Sequence, residues 1–249
     1  MPHHGAVEHF SSVAAAYAAY RPRYPAELFD WLAEVAPARE LAWDCGAGSG
    51  QATRALAQRF ARVAATDASR AQLGSGVRAY GVSSWVATAE RSGIRPARVD
   101  LITVAQALHW FDLPAFYAET RGVLRSGGVL AAWTYADPRL EGPPATVLER
   151  FADEMRPYWP VGRTLVDSGY RTIPFPFAEL AAPAFEMTAR WTLDEVVGYL
   201  GTWSAVGRYR TARERDPMPA LRAALAELWG DPATARRVVW TLSVRAGRA

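Results

Sequence analysis

A glycine-rich loop followed by a carboxylate is the part of this sequence best suited to chemistry. Gly46, Gly48 and Gly50 alternate within the run DCGAGSG of residues 44–50, directly after a short apolar segment. Alternate glycines let a backbone turn tightly and approach a bound nucleoside. Asp67 stands 17 residues beyond Gly50, at the end of the next apolar run, where a carboxylate can accept hydrogen bonds from both hydroxyls of a ribose. Together these features predict a site for a nucleoside-containing cofactor.

The segments around this loop alternate between strand and helix patterns. Short apolar runs predict seven strands, at residues 41–45, 63–66, 85–87, 99–104, 129–133, 185–191 and 238–244. Helical spacing of apolar residues predicts helices at residues 25–36, 52–60, 69–80, 114–124 and 194–206, with another that opens at Pro219. Alternating strands and helices form a parallel sheet covered on both faces. The pattern therefore predicts an α/β, Rossmann-like fold with a seven-stranded, mostly parallel sheet and helices on both faces.

Residues 136–180 have a different composition from the segments before them. Seven prolines alternate there with aromatic residues, among them Tyr158, Trp159 and Tyr170. We interpret this stretch as a cap inserted into a single domain that spans residues 1–249. A long aromatic connection with no part in ligand binding has the same composition, and the sequence leaves both interpretations open.

The spacing of the glycines distinguishes two classes of cofactor. A dinucleotide-binding loop has the form G-x-G-x-x-G/A, and its last position falls here on Gln51 or Thr53, neither of which fits. The observed form is G-x-G-x-G, with Asp44 two residues before the first glycine. This form resembles the first motif of class I S-adenosylmethionine-dependent methyltransferases.

Further segments extend the resemblance over nearly the whole chain. The runs YWP at residues 158–160, FPF at residues 175–177 and TWS at residues 202–204 resemble the cap and C-terminal half of one subset of this family. The run AQALHWFD at residues 105–112 and the run YRPRYP at residues 20–25 are similar to segments of the small-molecule methyltransferases that include trans-aconitate methyltransferase. The resemblance implies an enzyme that transfers a methyl group from S-adenosylmethionine to a small acceptor and releases S-adenosylhomocysteine. A non-catalytic S-adenosylmethionine-binding module has the same loop and the same acid, so it remains an alternative, and an NAD-type oxidoreductase is a weaker one.

The resemblance also implies a set of cofactor-binding residues. Gly46, Gly48 and Gly50 would line the methionine and ribose portions with Asp44 nearby, and Asp67 would bind the ribose diol. The remaining members of the set are Ala68 along the adenine, Ala89 and Glu90 at its amino edge, and Gln106 at the methionine end or the entrance to the acceptor site.

The N-terminal segment, residues 1–24, would form a lid over the cofactor that includes Tyr17 and Arg21. An amphipathic surface helix whose aromatic residues pack on the core is the competing interpretation of this segment.

Candidate acceptor-site residues come from the fourth strand's end, the cap and the C-terminal half. A carboxylate acceptor is ionised at pH 7 and needs no base, whereas a hydroxyl needs a group to remove its proton, and His109 is the best-placed residue by position. His109 could equally orient its loop. The candidate substrate-binding residues are Trp110, Arg163 and Trp203, although any one Arg in an arginine-rich chain is more often a solvated surface charge.

Composition limits the classes of partner. All 28 basic residues are Arg against 25 acids, for a net charge of +3, and they form no run, which argues against nucleic-acid binding. Cys45 has no partner for an intrachain disulfide, and no apolar stretch reaches the ~18 residues of a membrane span. The histidines form no metal-binding pattern with Cys45, so we expect no metal. The sequence predicts a cytoplasmic enzyme and leaves its oligomeric state open.

Overall fold

A nine-stranded sheet forms the centre of the computed structural model, which describes residues 22–74 and 76–249. The strands are β1 Leu41–Cys45, β2 Arg62–Asp67, β3 Val82–Val86, β4 Val99–Ala105, β5 Leu124–Tyr135, β6 Arg139–Leu140, β7 Ala178–Leu180, β8 Phe185–Trp191 and β9 Arg236–Arg248. Their order is β3-β2-β1-β4-β5-β9-β6, and β7 and β8 also pair with β9. β1 to β5 are mutually parallel, and β9 is antiparallel to each of its neighbours.

The predicted mostly parallel sheet of a Rossmann-like fold is confirmed, with two additions. β6 has two residues and β7 has three, and both lie within the stretch predicted as a cap. β3 begins at Val82, three residues before the predicted strand, because pairing with β2 brings Ser83 and Ser84 into the sheet. These serines form no apolar run, so the sequence pattern did not include them.

Nine α-helices surround the sheet within the described residues. They are α1 Ala26–Val35, α2 Gln51–Leu56, α3 Arg70–Gly74, α4 Leu113–Val123, α5 Ala145–Met155, α6 Arg163–Asp167, α7 Leu193–Gly201, α8 Ser204–Arg213 and α9 Met218–Trp229. Local capping fixes two of their starts. The Asp112 side chain accepts from the Ala115 amide before α4, and Thr192 and Glu195 form a reciprocal capping box before α7.

Three helix predictions were wrong in extent, and the helix expected from residue 52 to 60 ends at Leu56 as α2. The helix expected from residue 69 to 80 is only α3, since glycines at 74 and 76 disfavour its continuation. The helix expected from 194 to 206 is divided into α7 and α8. Trp203 lies between the end of α7 and the start of α8. Its backbone is extended and its side chain is buried.

The core consists of two apolar layers, one on each face of the sheet. Trp133 and Phe29 belong to one layer, and Trp43 and Phe116 belong to the other. The carboxyl ends of the parallel strands meet at one edge of the sheet, where open α/β sheets bind their ligands. Within the described residues, no helix has both the length and the apolar character that crossing a bilayer requires.

Candidate active site

The glycine loop joins β1 to α2 and is held against the end of β2. Gly46, Gly48 and Gly50 all have left-handed backbone conformations, with φ of +70°, +56° and +83°. The Gly46 and Ala47 amides both donate to the Thr66 carbonyl, each at 2.9 Å. Only glycine adopts such conformations without a steric cost, so the run of glycines is what permits this path.

The three glycines face different surroundings. A Cβ on Gly46 would lie 2.9 Å from the Ala107 Cβ, and one on Gly50 would lie 2.7 Å from the Val77 Cγ2, so both are required by packing. A Cβ on Gly48 would meet nothing nearer than the Gln72 Oε1 at 3.9 Å. Gly48 therefore exposes bare backbone to open space, as the close approach of a cofactor requires.

Asp67 ends β2 beside this loop and is half-buried. Its Oδ2 accepts from the Gly48 amide at 2.9 Å, and its Oδ1 accepts from the Ser69 amide at 2.8 Å. Each carboxylate oxygen has a second lone pair, so both can accept a further hydrogen bond. Ala68, the next residue, is exposed. The donor and acceptor set of this corner fits the diol of an adenosine.

Asp44 lies beneath the loop and is fully buried. The Thr53 hydroxyl donates to its Oδ2 at 2.5 Å and the Thr103 hydroxyl donates to its Oδ1 at 3.1 Å. Burial raises the pKa of the Asp44 carboxyl from 3.8 to about 6, and the two hydroxyls oppose that rise. The contacts of Asp44 tie the end of β1 to α2 and to β4.

Ala89 and Glu90 lie in the loop after β3. Ala89 is buried, and the Glu90 Oε1 accepts from the Asp112 amide at 3.0 Å. The Trp85 indole also holds this loop, because it donates to the Ser92 carbonyl at 2.8 Å. The Glu90 side chain therefore connects this loop to the start of α4.

Gln106 follows β4 in a left-handed conformation, with φ of +55°. Its Nε2 donates to the Tyr135 carbonyl at 3.1 Å, and its Oε1 accepts from the Thr134 hydroxyl at 2.5 Å. Both ends of the amide bond to β5. The side chain thus ties the ends of β4 and β5 together.

His109 lies in a 3₁₀ turn, Leu108–Trp110, just after β4. Its Nδ1 lies 2.8 Å from the Tyr170 hydroxyl, and its ring centroid lies 4.8 Å from that of Trp110, which is partly exposed. Burial lowers the pKa of His109 from 6.5 to about 4, so the imidazole is neutral at pH 7. The same turn reaches the glycine loop through Ala107, whose Cβ would contact a side chain on Gly46.

Arg163 begins α6, within the stretch predicted as a cap, whereas Trp203 lies outside that stretch, between α7 and α8. The Arg163 Nη2 lies 2.7 Å from an oxygen of Asp137, its Nε lies 2.6 Å from an oxygen of Asp167, and its guanidinium stacks 4.0 Å from the centroid of the Trp159 ring. Trp203 is buried, and its centroid lies 5.3 Å from that of Trp159. Two carboxylates balance the charge of Arg163, and Trp159 packs between Arg163 and Trp203.

Tyr17 and Arg21 lie outside the described residues, and the structure describes only residues 22–24 of the segment predicted as a lid. The Pro22 carbonyl accepts from the Gln51 Nε2 at 2.8 Å, directly after the glycine loop. The Tyr24 ring packs edge-on against Trp133, with centroids 5.5 Å apart. The chain therefore reaches α1 from the edge of the sheet that holds the glycine loop.

Sequence reasoning missed the residues that support the site from α2, from neighbouring strands and from the stretch predicted as a cap. They are Thr53, Thr66, Thr103, Thr134 and Tyr170. Thr103 is 59 residues from Asp44, and Tyr170 is 61 residues from His109. A threonine at a strand's end and a tyrosine in an aromatic stretch carry no local signal for these contacts. Within residues 22–74 and 76–249, no group of three His, Cys, Asp or Glu side chains could hold a metal ion.

The chain matches known proteins in sequence and in structure. A family profile described as "Methyltransferase domain" matches residues 43–132. A Dictyostelium discoideum protein named as a methyltransferase is 31% identical over 228 residues, which cover 88% of this chain and 86% of that protein. A Saccharomyces cerevisiae protein named as an S-adenosylmethionine-dependent methyltransferase is 31% identical over 50% of this chain and 46% of its own. A solved structure from Anaeromyxobacter dehalogenans, described as a type II methyltransferase, is 49% identical over 92% of this chain and 98% of its own, with a TM-score of 0.88.

Proposed function

The chain belongs to the class I S-adenosylmethionine-dependent methyltransferases, and from that premise we propose that its methyl acceptor is a small organic molecule carrying a carboxylate or a hydroxyl. We further propose that residues 136–180 act as a cap over the acceptor. The acceptor would lie between this cap and the turn that follows β4.

The observation that carries the proposal is the packing of the cap on that turn. Tyr170 bonds to His109, and a Cβ on Gly162 would lie 3.1 Å from the His109 Cδ2. Arg163 pairs with Asp137 within the cap itself, just beyond β5. The two contacts to His109 therefore hold the cap against the turn at the carboxyl end of the sheet. A cap packed in this way favours a small acceptor over a polymer.

The cofactor supplies an activated methyl group on a sulfonium centre. The chain's own part is to align the acceptor with that group and to exclude water. Gly48 offers open backbone, and Asp67 offers two carboxylate oxygens to the ribose. Asp44 and Gln106 support the site indirectly, because their polar atoms bond to α2, β4 and β5 and hold these elements in place.

The remaining assignments follow the same layout. Ala68, Ala89 and Glu90 would border the adenine, while Tyr17 and Arg21 would close over the cofactor from the N-terminal segment. Trp110 would line the acceptor side. We assign Arg163 a role in anchoring the cap, because two carboxylates already balance its charge.

His109 is suited to both acceptor types in different ways. Its neutral ring can accept a proton from a hydroxyl, although its lowered pKa makes it a weak base. For a carboxylate it would only orient the acceptor. The variant His109→Gln separates the two: it should slow the methylation of a hydroxyl, which needs a base, much more than the methylation of a carboxylate, which does not.

Methyl transfer from isotopically labelled S-adenosylmethionine to a panel of acceptors tests the proposal. The panel holds aliphatic acids, phenols and alcohols, with an oligonucleotide and an unfolded protein as polymer controls. We expect labelled product and S-adenosylhomocysteine with at least one small acceptor. Transfer to the polymers alone would contradict the proposal. Cofactor binding without transfer to any acceptor would favour the non-catalytic module.

A further inference from the structure

We propose that Tyr170 is a positioning residue that holds the His109 ring in one orientation and one tautomer, with Nε2 left for the acceptor. The proposal rests on the proposed methyl transfer, since it assigns His109 to the acceptor side of the site. It adds a residue of the cap to that function. The cap has to pack on the sheet before the His109 ring is correctly oriented.

The geometry of the pair supports this role. The Tyr170 hydroxyl lies 2.8 Å from the His109 Nδ1, and Tyr170 is fully buried. In a neutral imidazole one nitrogen carries the proton and the other accepts, and the partner of one nitrogen decides which is which. Nε2 makes no hydrogen bond with any residue that the structure describes. The Tyr170 hydroxyl can donate or accept, so its other partner sets the direction. The Thr134 hydroxyl gives its one proton to the Gln106 Oε1 and can only accept from Tyr170. This leaves the His109 Nδ1–H to donate to Tyr170 and Nε2 as the unprotonated nitrogen.

The backbone at Tyr170 is held in an unfavourable conformation to achieve this contact. Tyr170 has a φ of +62°, and the preceding Gly169 also has a φ of +62°. A side chain in the left-handed region is disfavoured sterically and persists only where its surroundings enforce it. Arg245 supplies that enforcement from β9, because its Nη1 donates to the carbonyls of Tyr170 at 2.9 Å and Ile173 at 2.6 Å. Backbone strain of this kind is found most often at functional sites.

A second strained residue belongs to the same network. Gln106 is also left-handed, and its Oε1 accepts from the Thr134 hydroxyl. Thr134 in turn lies within hydrogen-bonding reach of the Tyr170 hydroxyl. The chain of contacts runs from the end of β4 through β5 to the cap and back to His109. Such a network rigidifies the groups that it connects.

A matched pair of variants separates positioning from packing. Tyr170→Phe and Tyr117→Phe each remove one hydroxyl from a buried tyrosine that bonds across the cap, because the Tyr117 hydroxyl donates to the Pro174 carbonyl at 2.6 Å. The difference is that only Tyr170 touches His109. We expect Tyr170→Phe to lower kcat by about 10-fold or more and to leave cofactor affinity within about twofold, and Tyr117→Phe to change neither by more than about twofold.

Nitrogen-15 NMR of His109 gives a readout that does not depend on turnover. The chain has only four histidines, so His109→Gln identifies the signal. We expect a single tautomer in the parent protein and an averaged mixture in Tyr170→Phe, with the parent spectrum kept in Tyr117→Phe.

Each outcome bears on the proposal. Equal losses of kcat in the two variants, or an unchanged His109 spectrum in Tyr170→Phe, would overturn it. If Tyr170→Phe does not fold, the parent spectrum decides, because a mixture of tautomers there excludes a fixed ring. Failure of the parent protein to methylate any small acceptor would count against the proposed function, while the spectra would still test the Tyr170 contact.

Discussion

At the residue scale, two carboxylates that end neighbouring strands have opposite surroundings. Asp67 accepts from two backbone amides and keeps lone pairs toward the open side of the loop, whereas Asp44 is sealed beneath it and accepts from two hydroxyls. A buried carboxylate with bonded oxygens stabilises the residues around it, whereas an accessible carboxylate can bind a ligand. We therefore assign the cofactor's ribose to Asp67 alone.

Replacement of Asp67 tests that assignment. We expect Asp67→Ala to weaken S-adenosylmethionine binding by about 1.5–3 kcal/mol, the value typical of hydrogen bonds to a charged group. Calorimetric titration measures it. Glu149→Ala, on the exposed face of α5, is the control and should bind as the parent does. Equal affinity in Asp67→Ala and the parent would remove Asp67 from the site.

At the element scale, the turn from β1 to α2 uses its glycines for two purposes. Gly46 makes room for Ala107 in the turn after β4, while Gly48 faces open space. We expect Gly46→Ala to lower the free energy of unfolding by about 2 kcal/mol, through backbone strain and overpacking. Gly48→Ala should cost only the backbone strain, about 1 kcal/mol, and should weaken cofactor binding more than stability.

Urea unfolding and calorimetric titration of both variants measure these two effects. Gly122→Ala, at a position in α4 with no atom near its Cβ site, is the control for added bulk. Full cofactor affinity in Gly48→Ala would show that no ligand approaches that backbone.

Arg163 provides a second test at this scale, because it joins α6 to the segment after β5. We expect Arg163→Ala to lower the free energy of unfolding by about 1–2 kcal/mol, since a mostly buried cation loses two carboxylate partners and leaves them unpaired. Arg156→Ala removes an exposed ion pair with Asp153 in the same stretch and should leave stability unchanged. If Arg163→Ala instead keeps the parent's stability and only raises KM for acidic acceptors, Arg163 binds substrate directly.

At the scale of the whole molecule, burial of Asp44 couples global stability to pH. The pKa of Asp44 is raised from 3.8 to about 6 in the folded protein, so between these values the unfolded chain has lost a proton that the folded chain keeps. The free energy of unfolding therefore falls as pH rises through this window and stays lower above it. The expected change is on the order of 3 kcal/mol.

Asp44→Asn has no such titration. We expect the stability of the parent relative to this variant to decrease from pH 4 to pH 7, as measured by urea unfolding at each pH. A difference that does not vary with pH would show that Asp44 ionises in the folded state as it does in the unfolded one.

Local patterns in the sequence determined the alternation of strands and helices, the Rossmann-like sheet, the glycine loop after β1 and the carboxylate of Asp67 at the end of β2. These are set by neighbouring residues, through apolar periodicity and the conformational freedom of glycine, so they can be predicted without contacts between distant segments. The methyltransferase family follows from the same short motifs, and the comparisons confirm it. The extents of α3 and β3 were wrong because glycines and strand pairing overrode the local pattern.

Only the tertiary structure decided what surrounds each candidate side chain. It set Asp44 against Thr103, balanced Arg163 with Asp137 and Asp167, and brought Tyr170, from the stretch predicted as a cap, to His109. Charge balance, desolvation and tautomer depend on atoms within a few ångströms, and those atoms belong to residues far apart in the chain. For that reason residue types were predictable from the sequence, whereas the environment that gives each residue its role was not.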